Sequence, residues 1–380
     1  MTTEENGSRD SKPTNTPRGN RRDRRGDNSN GSNSILFDIR DAITLRAFLL
    51  VVATLGLGLG FVVSYVGALH NPRLQNLPVT IVSDSPQVTN QLISRFESSV
   101  PRGTIVPSAG TSPAAATEQV KNRKTGAAFV YNLSGTQDTL IVASAAGSAQ
   151  SRAMQTLFTS VDQQEGRTIK VEDVVPSAAA DANGLAPFYL VVGWCVTGYL
   201  ISSILGISAG ARPETTTRAV VRLAAIALAG FAAALFGTWI VGQHILGALG
   251  GAFWPMVATG TLLILGVGAI TMAMQTAFGV IGIGLAVLLV VVLGNPSAGG
   301  AVPRSMLPPF WRSIGAFLPP GAGTDSVRSI AYFGGAETGY PLLIMAAYAL
   351  LGVVLSLLLC ALKSPSAPTQ AQKFATPKTP

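Results

Sequence analysis

Charge is scarce in this chain. Asp, Glu, Lys and Arg make up 12% of 380 residues, against about 25% in a soluble globular domain. The scarcity is concentrated: the 81 residues from Leu223 to Pro303 hold no Asp, Glu, Lys or Arg at all. That excludes a water-exposed fold for this stretch and fits a bilayer core, where an unpaired charge costs several kcal/mol. Only His70 and His244 are present, with no HExxH and no CxxC, so a zinc site of either usual kind is not expected. The two cysteines, Cys195 and Cys360, lie inside apolar runs and leave the polar part of the chain without a disulfide framework. No GxxxxGK[ST] phosphate loop occurs, so the chain carries no nucleotide motor of its own.

What is present is apolar and small. Hydrophobic residues reach 48%, with 41 Gly and 23 Pro, and the net charge is +8. The basic excess sits in tails and short connections, without aromatic interleaving or a folded basic face, so no nucleic-acid partner is read from it. Residues 1–34 are too polar to offset chain entropy and read as a disordered cytoplasmic tail. Residues 35–46 space apolar side chains helically between charges, as an amphipathic helix lying on the membrane interface does. Residues 47–69 form a charge-free run of 23 residues, long enough to cross about 30 Å of hydrocarbon as transmembrane helix 1. A long polar tail precedes it, which argues against a cleaved signal.

Residues 71–185 change character, with nine Lys+Arg and nine Asp+Glu. Strands are predicted at 79–83, 126–131, 139–143 and 168–174, and helices at 87–98, 115–123 and 150–162. Alternating strands and helices over this length read as an inserted α/β domain with its own core. Five further spans follow, at 187–207, 223–243, 252–271, 277–293 and 340–362, completing a five-helix bundle over 187–362. Residues 363–380 are a second cytoplasmic tail. With both termini inside, the inner segments hold 15 Lys+Arg against 8 Asp+Glu and the outer ones 12 against 11. The positive-inside rule therefore places residues 71–185 outside the plasma membrane. The expected class is an α-helical polytopic membrane protein of six transmembrane helices, with membrane lipids as its first partners.

The spans are rich in small residues, which suits helix packing, and no ionisable pair lies at mid-membrane, which argues against ion-coupled transport. His244 falls near the outer end of the third span, where packing explains it as well as any role. Gly206-Ile-Ser-Ala-Gly210 matches GxSxG, but that pattern needs a strand-to-helix elbow and a histidine partner. Ser208 ends a membrane helix instead, so no enzyme is expected, and no catalytic residue, metal or cofactor is assigned. Segment 295–339 is broken by proline and reads as an external re-entrant or interfacial pair of short helices. One is anchored by Phe310 and Trp311; the other is capped at Thr324.

The order of these parts, with Asn295-Pro-Ser-Ala-Gly-Gly before Phe317-Leu-Pro-Pro-Gly-Ala322 and His70-Asn-Pro-Arg opening the polar insert, resembles a known group. It is similar to the YhgE/Pip (phage-infection-protein) and related actinobacterial branch of ABC-type-two exporter permeases. The resemblance implies a permease-like subunit, homodimeric, that exports a lipid-like, drug-like or envelope molecule with a separate ATP-binding subunit. It implies an ATPase-coupling loop after the second span, carrying Arg212, Glu214, Arg218 and Arg222. It implies an external segment whose residues are Asn295, Pro296, Gly299, Gly300, Phe310, Trp311, Pro319, Pro320 and Gly321. The alternative reading is a non-transporting envelope scaffold or secretion accessory protein acting through residues 71–185.

Overall fold

The computed structural model describes residues 44–243 and 245–363. The tail expected at 1–34, all but Lys363 of the tail expected at 363–380, most of the amphipathic segment at 35–46, and His244 lie outside the described residues. The last residues of that segment, Leu45 and Arg46, begin α1 (Leu45–Leu69). The chain divides into two compact units after Leu55, within this helix. α1 is apolar all round and only 6% of its Ala47–Leu69 stretch is buried, the signature of a helix facing lipid rather than a protein core.

Polar residues return at His70, and the sheet begins at Leu77. The elements are β1 (Leu77–Val82), α2 (Pro86–Ser99), β2 (Ile105–Ala109), α3 (Pro113–Lys121), β3 (Ala127–Val130), β4 (Gln137–Val142), α4 (Ser148–Gln163) and β5 (Thr168–Asp173). They form one mixed sheet in the order β2-β1-β3-β4-β5. β1 pairs parallel with β2 and β3, β4 pairs parallel with β5, and β3 with β4 is the antiparallel pair. Strand alternation gives the sheet two apolar faces. Leu77, Val79, Ile81, Phe129 and Leu140 bury against Leu92 and Phe96 of α2 and Met154 and Phe158 of α4. Val82, Ala128 and Ile141 face Ala116 and Val120 of α3, and Phe333 completes that second cluster from far along the chain.

A buried ion pair locks one end of β4. Arg167 donates Nε to Asp138 Oδ2 at 2.6 Å and Nη2 to Oδ1 at 2.7 Å, over the Tyr131 ring at 4.2 Å. Asp138 is fully buried and Asp162 nearly so, with Oδ2 of Asp162 lacking a partner. Burial and the adjoining Asp138 push the Asp162 carboxyl up to about 7.

The remaining helices make the bundle: α5 (Ala186–Ser208), α6 (Thr216–Val241), α7 (Phe253–Phe278), the shorter α8 (Ile281–Ser297), α9 (Pro309–Gly315), α10 (Pro319–Tyr332) and α11 (Gly339–Lys363). Among the described residues, α1, α5, α6, α7 and α11 are the five helices long and apolar enough to cross a membrane. The protein is therefore a mostly helical, multi-pass membrane protein carrying a small mixed sheet. The span expected at 277–293 is not among those five helices: past the end of α7 that stretch holds only the shorter apolar helix α8. α7 runs on to Phe278, Gly279 turns the chain at φ +64°, and α8 follows with a π-helical stretch at Leu288–Gly294. α7 is the central helix, 78% buried, packed against α5, α6 and α11. The α11 contact is tight: a Cβ on Gly352 would lie 2.5 Å from the backbone of Ile270. Small residues allow such approach where apolar solvent gives little drive to associate.

Candidate functional site

Segment 298–338 carries two buried charged side chains, Asp325 and Arg328. α10 opens with Pro319 and Pro320, at positions whose missing N–H groups need no helical partner, and every residue from Pro319 to Ile330 is buried. It sits among α5, α7, α8 and α11 at the end of the bundle where the sheet attaches. Close backbone contact fixes it: a Cβ on Gly321 would overlap the carbonyl of Gly315, and one on Gly294 would lie 2.7 Å from Pro320.

Burial on all sides forces the charges of α10 toward partners. Asp325 accepts from two guanidiniums at once, Arg123 at the end of α3 (3.5 Å) and Arg304. Arg123 Nη1 also reaches the Asp325 carbonyl at 3.4 Å and stacks over Phe333 at 5.5 Å. One turn further, Arg328 is 3% exposed, and both its Nη atoms donate to the Gly299 carbonyl at 3.2 Å. Its Nε has no partner. Burial pulls the Arg328 guanidinium down to about 10, with neighbouring Arg123 and Arg304 acting in the same direction and Asp325 against it. Gly299 is placed for this role at φ +74°, in the left-handed region that L side chains avoid.

These side chains line a cavity of about 370 Å³ between the sheet and α10, bounded also by Leu77, Gly126, Gln150 and Ser305. Its walls are pinned. Arg73 and Gln75 donate backbone N–H groups to Met306 (3.1 Å) and Ser305 (2.9 Å). Ser305 Oγ donates to Gln150 Oε1 at 2.5 Å, and Arg312 Nη1 to the Gln75 carbonyl at 2.9 Å. Lys124, which also lines the cavity, pairs with Glu337, and that bond holds the Glu337 carboxyl below its ordinary range. Asp181 accepts from the backbone N–H groups of Leu185 (2.9 Å) and Ala186 (3.0 Å), capping α5. Its other oxygen faces the Tyr332 hydroxyl at 3.2 Å. Burial and this carboxylate push the Tyr332 phenol up to about 12.

The expected external segment is distributed over this end. Pro319, Pro320 and Gly321 are the buried start of α10; Gly299 holds Arg328; Gly300 lies against the Phe188 ring. Asn295 and Pro296 end α8 and line a separate cavity of about 310 Å³ with Tyr65 and Phe188. Phe310 is exposed, and Trp311 packs near Gly67. The expected coupling loop is shorter than its four residues suggest, because α6 starts at Thr216, where Thr215 accepts from the Arg218 backbone N–H at 3.2 Å. Arg212 and Glu214 stand in the connection; Arg218 and Arg222 are on the helix. Arg218 pairs with Glu214 on the surface. Arg222 is buried and donates to the carbonyls of Ala209 (2.5 Å) and Gly210 (2.8 Å), satisfying the end of α5. Ser208 Oγ donates to the Ile204 carbonyl at 2.7 Å, within a helix and not on an elbow.

The sequence reading missed Arg123, Arg304, Asp325 and Arg328 as a group. Among the described residues, no three His, Cys, Asp or Glu side chains gather to hold a metal. Comparison with family models, with curated proteins and with solved structures finds no match for this chain.

Proposed function

We propose that this chain is a six-pass, permease-like subunit of an ABC-type exporter. It moves a lipid-like, drug-like or envelope molecule, driven by a separate ATP-binding subunit and working as a homodimer. α8 serves as the additional, short span; both termini are cytoplasmic, and residues 71–185 stand outside. The observation that carries this reading is the connection between α5 and α6. It presents Glu214 and Arg218 outward while being tied to three helices. Arg222 bonds the end of α5, Arg212 reaches the Ala277 carbonyl of α7 at 3.4 Å, and the Cys360 thiol of α11 donates to Pro213 at 3.4 Å. A push delivered at Glu214 and Arg218 by a partner subunit is thereby shared by α5, α7 and α11. Affinity purification from native membranes tests it. An ATP-binding chain should copurify and be lost in the Glu214→Arg, Arg218→Glu double variant; recovery of no such chain with the parent protein overturns the reading.

A second reading, an envelope scaffold, rests on β2. It is an edge strand with Val106 half-exposed, and an unpaired edge is a template for an added strand. Crosslinks from residues 105–109 to other envelope proteins, in place of an ATP-binding chain, would favour it.

A further inference from the structure

Among the described residues, the cavity between the sheet and α10 carries an excess of positive charge. Three guanidiniums, Arg123, Arg304 and Arg328, line it with one carboxylate, Asp325, which pairs with the first two. Lys124 is balanced by Glu337. Asp181 is engaged with the start of α5 and with Tyr332; counting it as well still leaves the cluster positive. Buried charge of one sign is costly unless paired, and arginine is the side chain suited to bidentate contact with oxyanions. The unpartnered Nε of fully buried Arg328 belongs to a residue lining the same space. The volume, about 370 Å³, lies within the range of small-molecule sites (about 300–1,000 Å³), so it takes more than a bare ion.

We propose that this cavity binds a phosphate group carried by a small phosphoester or by an anionic lipid headgroup, with Arg123, Arg304 and Arg328 as its donors. A carboxylate offers two oxygens, and Asp325 already spends both on two of the arginines. A phosphomonoester offers three non-bridging acceptors, one for each of the three guanidiniums that line the cavity. The ligand would cross-brace the structure, because Arg123 belongs to the sheet side, Arg304 to the connecting segment and Arg328 to α10. The inference stands whether or not the chain transports anything.

The test is calorimetric titration of the full-length protein in a non-ionic, phosphate-free detergent. The probes are inorganic phosphate and monomeric short-chain phosphatidic acid, with chloride at matched ionic strength as control. The parent protein should bind phosphate saturably. Arg123→Gln and Arg304→Gln, both partly solvent-exposed and therefore the safer variants for folding, should each weaken binding about tenfold or more. Arg102→Gln, in a different cleft of the sheet unit, should leave it unchanged. Tighter binding of phosphatidic acid than of phosphate assigns the site to a lipid headgroup; equal or weaker binding assigns it to a soluble phosphoester. No saturable heat from either probe at millimolar concentration, or the same affinity in both arginine variants, overturns the proposal.

Discussion

At the scale of single residues, two carboxylates decide most. Asp325 is buried and neutralises part of a cluster of one buried and two partly buried arginines, so Asp325→Asn leaves those charges facing one another. Breaking a buried pair by removing one partner costs about 3–5 kcal/mol, and the variant should show a clearly lowered thermal midpoint in detergent. An unchanged midpoint would mean that solvent already screens the cluster. Asp162 has the opposite character. Its folded-state pKa is raised to about 7, so the folded protein holds a proton there that the unfolded chain releases near its ordinary value of about 4. Its contribution to stability is complete below about pH 4 and is lost as pH rises through about 7. Asp162→Asn removes that dependence: midpoints scanned from acid to mildly alkaline pH should match the parent at the acid end and exceed it at the alkaline end. Neither role was legible in sequence. Arg123 and Asp325 are 202 residues apart, and Arg123 reads as the polar tip of a surface helix until the fold sets α10 beside it.

At the scale of elements, the patterns that could be read were those with a period. α2, α4 and the strands β1, β3, β4 and β5 fall where alternation or helical spacing places them, because each buries a defined face. β2 was not read, since Pro107 interrupts its run. Pro is tolerated there because β2 is the outermost strand. The boundary between α7 and α8 was misplaced because the stretch is apolar throughout; Gly279 alone turns the chain, and hydropathy cannot see a positive φ. Phe333 shows how far an element reaches. Standing just past α10, it fills the second face of the sheet beside Val82, Val120 and Ile141. Phe333→Ala should cost about 3–5 kcal/mol and should expose the sheet unit to proteolysis in detergent while the long helices persist by circular dichroism. Loss of all helical signal would show that the bundle depends on the sheet as well.

At the scale of the whole molecule, membrane residence was plain in the sequence: 81 consecutive residues without a formal charge admit no other solvent. The attachment of sheet to bundle was not, since it is built from pairs distant in sequence and from a segment, 298–338, that reads as a pair of short external helices and not as the wall of a buried cavity. The proposed sidedness puts the sheet outside the cell and the connection carrying Glu214 within. Labelling of single added cysteines tests it directly, because Cys195 and Cys360 are both buried. With a membrane-impermeant maleimide, Ser134→Cys, at the β3–β4 turn, should label in intact cells, and Glu214→Cys should label only after permeabilisation. Labelling of position 214 in intact cells, with position 134 protected, would reverse the proposed orientation.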